Sequence, residues 1–203
     1  MGEVLRLRCR NLLETMNLPN IISLSRIPLV FLIVGCLYIP GTTGAFLAFL
    51  LFVLGSASDW LDGFLARKYN LVSDFGKLMD ALTDKVFVVG TCVALLPTKV
   101  LPAWGIVLVL IIIAREFFVT GLRLVAASKG RVLAAEKTGK LKTAIQMVSI
   151  GVLLFARVIG DTQYGASFFF YELGLWLFVL GAGLTLYSGF GYLVKYGDLL
   201  KED

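Results

Sequence analysis

Long apolar runs constrain this chain more than any other feature. Ile27–Ile39 and Val100–Ala114 contain no charged side chain, and each is long enough to cross the hydrocarbon of a bilayer or most of it. A lipid-embedded run must satisfy its own backbone polar groups, which a helix does internally. Of the 203 residues, 58% are hydrophobic and 16% charged, whereas a soluble domain is about half apolar and about a quarter charged. The excess is gathered into runs rather than spread. An all-α, polytopic membrane bundle forming one compact unit is expected.

Six spans are predicted, at 20–39, 44–68, 75–97, 101–128, 139–160 and 168–196. Short turn-rich connectors separate most of them: Pro40 to Thr43, Pro97 to Pro102, and Asp161 to Ala166. A longer polar stretch, Lys129 to Thr138, lies between the fourth and fifth. The fourth span, at about 1.5 Å per residue, is over-long for a hydrocarbon layer of about 30 Å. Its polar end, Arg115-Glu116 through Arg123, should therefore rise into the headgroup zone or face an internal cavity.

Residues 1–19 are expected to form a separate juxtamembrane unit ahead of a transmembrane catalytic domain at 20–203. Leu5, Cys9, Leu12, Leu13 and Met16 share one helical face, with Arg6, Arg10, Glu3 and Glu14 opposite. That pattern suits an amphipathic helix lying in the headgroup plane, or equally one packed against the bundle. The first apolar run carries Arg26 and is followed by further spans, unlike a cleaved signal peptide. A myristoylation signal is excluded because position 6 is Arg.

Lysine and arginine set the orientation. Arg6, Arg8, Arg10, Arg67, Lys68, Lys129, Arg131, Lys137, Lys140, Lys142, Lys195 and Lys201 gather at one set of ends. The opposite connectors carry only Lys99, with Arg157 nearby. Both termini are expected to be cytoplasmic, in agreement with an even number of spans. A multi-pass cell membrane, the bacterial inner membrane, is the expected location. No nucleic-acid partner is expected.

The chain has no histidine, so acid/base and metal chemistry fall to carboxylates. Cys9, Cys36 and Cys92 show no metal-type spacing and read as unreactive thiols. Asp59 and Asp62 are three apart, and Asp80 and Asp84 four apart, so each pair shares a helical face. An antiparallel hairpin would bring both pairs together. Four facing carboxylates repel unless a cation lies among them, and ionisable groups at membrane depth mark function. An all-oxygen set suits magnesium or manganese, with calcium less favoured. The bland alternative is that these aspartates are solvated or pair with Lys77, Arg67 and Lys85.

The full string runs Asp59-x2-Asp62-Gly63-x2-Ala66-Arg67, eight residues, then Gly76-x3-Asp80-x3-Asp84. It resembles the signature of the CDP-alcohol phosphotransferases at every fixed position, and the family's six-span architecture resembles nearly the whole chain. The resemblance implies that Asp59, Asp62 and Asp80 are metal ligands and that Asp84 is a ligand or the general base. It implies two divalent ions, magnesium or manganese, clamping the diphosphate of CDP-diacylglycerol. Asp62, Gly63, Arg67 and Gly76 would then meet the CDP moiety; glycine permits close backbone approach, and the arginine fork suits a diphosphate. Asn20 and Ser23, with Arg26 beside them, are further candidates for the nucleotide site, although Asn20 could equally cap a helix. Homodimerisation is a family-level expectation.

The acceptor is read from Arg115, Arg123, Lys137, Lys140 and Lys142. Arg115 and Arg123 lie eight apart and face the same way on one helix; Lys140 and Lys142 do not share a face. This basic group suits an acceptor bearing a phosphate, against the plainer reading of positive-inside topology. The strings Arg115 to Arg123, Gly139 to Met147 and Asn17 to Arg26 resemble the branch of the family that uses sn-glycerol 3-phosphate. Transfer of the phosphatidyl group to that acceptor, with release of CMP, is expected. Inositol phosphate or serine as acceptor is the nearest rival. An intramembrane prenyltransferase would need a different aspartate spacing. A cation transporter would leave Gly63, Arg67 and Gly76 without a use.

Overall fold

The computed structural model describes residues 18–68, 74–130, 137–160 and 164–200. Those residues form six α-helices: α1 (Leu18–Tyr38), α2 (Thr42–Lys68), α3 (Asp74–Leu95), α4 (Gly105–Ser128), α5 (Lys137–Ile159) and α6 (Tyr164–Tyr196), followed by a short 3-10 turn, Gly197–Leu200. The juxtamembrane helix expected before residue 18 lies outside the described residues. So do residues 131–136 of the polar stretch between α4 and α5.

Two boundaries differ from the sequence expectation. The helix α4 starts at Gly105 rather than near residue 101, because the chain turns through Pro102. Backbone bonds Gly105 N to Pro102 O (2.8 Å) and Val107 N to Trp104 O (3.1 Å) wind the chain into the helix. The helix is therefore 24 residues long, shorter than the over-long span expected. In α6 the difference runs the other way. It starts at Tyr164 and reaches 33 residues, taking Gly165 and Ala166 out of the expected connector.

This is a membrane protein. Asn20–Tyr38, Gly105–Ser128, Gly139–Ile159 and Gly165–Tyr196 are long and apolar enough to cross a bilayer, while α2 contributes a shorter apolar stretch, Thr42–Ser58. Large apolar side chains point outward along the helices, among them Phe31, Phe117, Phe168, Trp176 and Phe190. In water such a surface would drive aggregation; in lipid it is the expected exterior.

The core runs through the bundle from Ile33 and Leu37 of α1, past Phe52 and Phe87, to Leu153, Leu154 and Phe178. Helix α1 packs on both α2 and α3, α2 packs on α5, α6 lies along α5 in the most extensive helix pair, and α4 packs on α6. Small and polar residues let α5 and α6 approach: Ser149 donates to the Gly174 carbonyl at 3.0 Å, and Gln146 to Thr185 at 2.9 Å. Helices α2 and α3 meet through the stacked rings of Phe52 and Phe87, 5.5 Å apart. A Cβ at Gly55 would lie 2.5 Å from the Phe87 ring. Helix α3 packs extensively on α1 but makes only sparse contact with α4 and α5. A cavity opens there.

Candidate active site

The cavity measures about 690 Å³. It lies at the end of the bundle where α2, α4 and α6 finish and α3 and α5 begin. Its described wall includes Ser56 of α2, Asp80, Asp84 and Lys85 of α3, Arg115, Glu116 and Arg123 of α4, Lys140, Lys142 and Thr143 of α5, and Tyr192 of α6. Two groups predicted separately from the sequence thus face one space. The α3 aspartates form one side and the basic residues of α4 and α5 the other.

On the acidic side, Asp80 is exposed and Asp84 half-buried; both line the cavity, as their four-residue spacing on α3 requires. Arg26, buried in α1, reaches Asp80 at 3.8 Å. Asp59, Asp62, Gly63 and Arg67 belong to α2 by backbone, and their side chains lie outside the described residues. They follow Ser56, which lines the cavity, along the same helix. Among the described residues no group of three carboxylates or other ligating side chains gathers, since only half of the four-aspartate set is described. The chemistry of that described half fits a hard cation: two carboxylates on one helix face, open to a polar cavity.

The basic side is knit together by hydrogen bonds. Arg115 is buried, and its Nη2 donates to Ser188 Oγ of α6 at 2.6 Å. Its Nη1 donates to Glu116 Oε1 at 3.3 Å, and the same carboxylate oxygen accepts from the buried Lys142 of α5. Burying two cations this close is costly unless a counter-charge and hydrogen bonds compensate, and Glu116 supplies both. The Nε of Arg115 is buried without a hydrogen-bond acceptor among the described residues. Arg123 is exposed and its Nη2 donates to the Tyr192 hydroxyl at 3.1 Å. Lys85 of α3 donates to Thr120 of α4, whose hydroxyl in turn donates to the Glu116 carbonyl at 2.7 Å.

Lys140 is exposed and Lys142 buried, so they occupy different faces of α5 as expected, yet both reach the cavity wall. Lys137 is the first residue of α5, and its side chain lies outside the described residues. Gly76 lies in the first turn of α3. Asn20 and Ser23 are buried on α1 and are not among the described residues of the cavity wall. Asn20 sits inside the first turn of α1 rather than ahead of it, so the capping alternative is set aside.

Sequence reasoning missed Tyr192 and Ser188 altogether and gave Glu116 no role. Glu116 had a signal, an acidic residue between an apolar run and a basic one. The α6 residues had none, because their partners on α4 are 69 and 73 residues away in the chain.

The cavity places carboxylates able to hold a cation opposite arginines able to hold phosphate, at the end of a membrane bundle. Residues 16–187 match the family described as CDP-alcohol phosphatidyltransferase. The chain belongs to that family. It is similar to the CDP-diacylglycerol–glycerol-3-phosphate 3-phosphatidyltransferase of Bacillus subtilis, with 40% identity over 197 residues, covering 91% of this chain and 97% of the relative. The enzymes of the same name from Rickettsia typhi (36% identity, 87% of this chain and 94% of the relative) and Shigella flexneri serotype 5b (35%, 92% and 98%) are also similar. The chain is thus a CDP-alcohol phosphatidyltransferase, and the cavity is its candidate active site.

Proposed function

We propose that the protein transfers the phosphatidyl group of CDP-diacylglycerol to sn-glycerol 3-phosphate, giving phosphatidylglycerophosphate and CMP. The observation that carries this reading is the single cavity on whose wall Asp80 and Asp84 meet Arg115, Arg123, Lys140 and Lys142. The names of the relatives point to the same substrates. In the reaction, a hydroxyl oxygen of the acceptor bonds to the phosphorus attached to diacylglycerol. The bond from that phosphorus to the CMP oxygen breaks.

Asp84 takes the proton of the attacking hydroxyl, a role suited to a carboxylate on the cavity wall. Asp59, Asp62, Asp80 and Asp84 would hold two divalent ions, magnesium or manganese. When bound, these ions supply charge stabilisation to the diphosphate and the departing CMP. Gly63, Gly76 and Arg67, with Asn20 and Ser23 of α1, belong to the CDP side of this proposal. The acceptor phosphate is held by the arginines of α4 and the lysines of α5, including Lys137. Guanidinium forks match phosphate oxygens in pairs.

All six helices cross the bilayer in this proposal. Both termini and the cavity lie on the cytoplasmic side, following the concentration of lysine and arginine there. Homodimerisation belongs to the same proposal and rests on the family resemblance alone.

The test is purified protein supplied with CDP-diacylglycerol, labelled sn-glycerol 3-phosphate and magnesium or manganese. Labelled lipid and stoichiometric CMP are expected, and chelation should abolish both until metal is restored. Turnover with inositol phosphate or serine but not glycerol 3-phosphate would overturn the acceptor assignment.

A further inference from the structure

Helix α6 entered the sequence reading only as a span, yet it forms the bed on which both acceptor-side arginines rest. Tyr192 is 1% exposed. The guanidinium carbons of Arg115 and Arg123 stand 5.7 and 5.8 Å from its ring centroid, within the range of cation–π attraction. Its hydroxyl accepts from Arg123 at 3.1 Å, while Ser188, one turn earlier, accepts from Arg115 at 2.6 Å. Between them, Gly189 leaves room for the Arg115 stem to cross α6: a Cβ there would lie 3.0 Å from Arg115 Cγ.

A free arginine samples many rotamers, and a ligand that orders it loses affinity to that entropy. Here two arginines eight residues apart on α4 are fixed on one aromatic ring by folding itself. The Glu116 carboxylate fixes Arg115 from the other side. Packing accounts for the Tyr192 ring, which joins Val119 and Leu122 in a small apolar cluster. It does not account for the two side-chain bonds from α6 to the two guanidinium groups.

We propose that Tyr192 and Ser188 are positioning residues that hold Arg115 and Arg123 as a preformed pair of forks for a phosphate monoester. They thereby set the preference for a phosphorylated over an unphosphorylated polyol acceptor. The inference rests on the transfer reading given above. It adds a specificity device to it, since a pair of guanidinium groups held in place recognises a dianion more strongly than two mobile ones.

The experiment measures CMP release by the full-length protein in lipid nanodiscs with magnesium, varying sn-glycerol 3-phosphate, glycerol and CDP-diacylglycerol in turn. Tyr192→Phe keeps the ring and its packing and removes only the hydroxyl. It should raise KM for glycerol 3-phosphate about fivefold with KM for CDP-diacylglycerol unchanged. Ser188→Ala should do the same, and Tyr192→Leu should raise that KM by more than about twentyfold. In each variant the preference for glycerol 3-phosphate over glycerol should shrink. Unchanged KM values in Tyr192→Phe and Ser188→Ala would overturn the positioning role while leaving the transfer reading intact. So would KM values for both substrates that rise together, or a loss confined to kcat. A wild-type protein that releases no CMP with glycerol 3-phosphate would fail at the earlier step and remove both.

Discussion

The two ends of the bundle use arginine in opposite ways. At the end away from the cavity, Arg157 of α5 donates to the Leu37 carbonyl at 3.1 Å and the Thr98 carbonyl at 3.4 Å. It ties the last turn of α1 to the turn after α3, where Lys99 adopts a left-handed backbone with φ 57°. Among the described residues its partners are neutral and belong to the backbone, so the charge serves as a staple. At the cavity end, cations outnumber carboxylates among the described residues of the wall. The described wall carries Lys85, Arg115, Arg123, Lys140 and Lys142 against Asp80, Asp84 and Glu116. That surplus, gathered on α4 and α5 opposite the α3 aspartates, suits an anion arriving from outside. The lesson is that an intramembrane arginine marks a site only when its surroundings leave its charge unspent.

Substitutions that strike one end and spare the other sharpen this contrast. The largest effect is expected from Asp84→Asn, which removes the proposed base while nearly preserving shape. Turnover should fall about a thousandfold, measured as labelled lipid formed per minute. Full turnover would end the base assignment. Next, Arg115→Met removes a buried fork and leaves Glu116 to Lys142 alone. The kcat/KM for glycerol 3-phosphate should drop about a hundredfold, with a lower midpoint in thermal unfolding because a buried ion cluster is broken.

Arg157→Met is the matching change at the far end. It should cost about 1–3 kcal/mol of stability while kcat and both KM values of the folded protein stay at wild-type levels. A selective rise in KM for glycerol 3-phosphate in this variant would break the comparison. The smallest effect is expected for Lys140→Ala. This exposed side chain contributes through a screened field, so KM for glycerol 3-phosphate should rise only about threefold, and less in high salt.

Much of the fold was legible because lipid solvation leaves few alternatives for an apolar run. All six helices appear within a few residues of their expected ranges, and the errors fall where Pro102 and Tyr164 mark entries that composition alone does not time. Helical spacing also gave correct faces within one helix. Asp80 and Asp84 line one cavity, and Arg115 and Arg123 rest on one ring. What spacing did not convey is which helix lies opposite. The α4 partners Ser188 and Tyr192 sit on the last helix, and the polar pair Gln146–Thr185 joins α5 to α6 across 39 residues.

The sequence by itself determined the helices, the membrane setting, the shared face of Asp80 and Asp84 and the family, because each depends on local periodicity or on a fixed string of residues. Tertiary structure alone decided that the basic cluster faces the aspartates, that Glu116 neutralises part of it, and that α6 anchors the arginines. Those outcomes depend on how helices far apart in the chain pack side by side, and packing is set by shape and burial across the whole bundle.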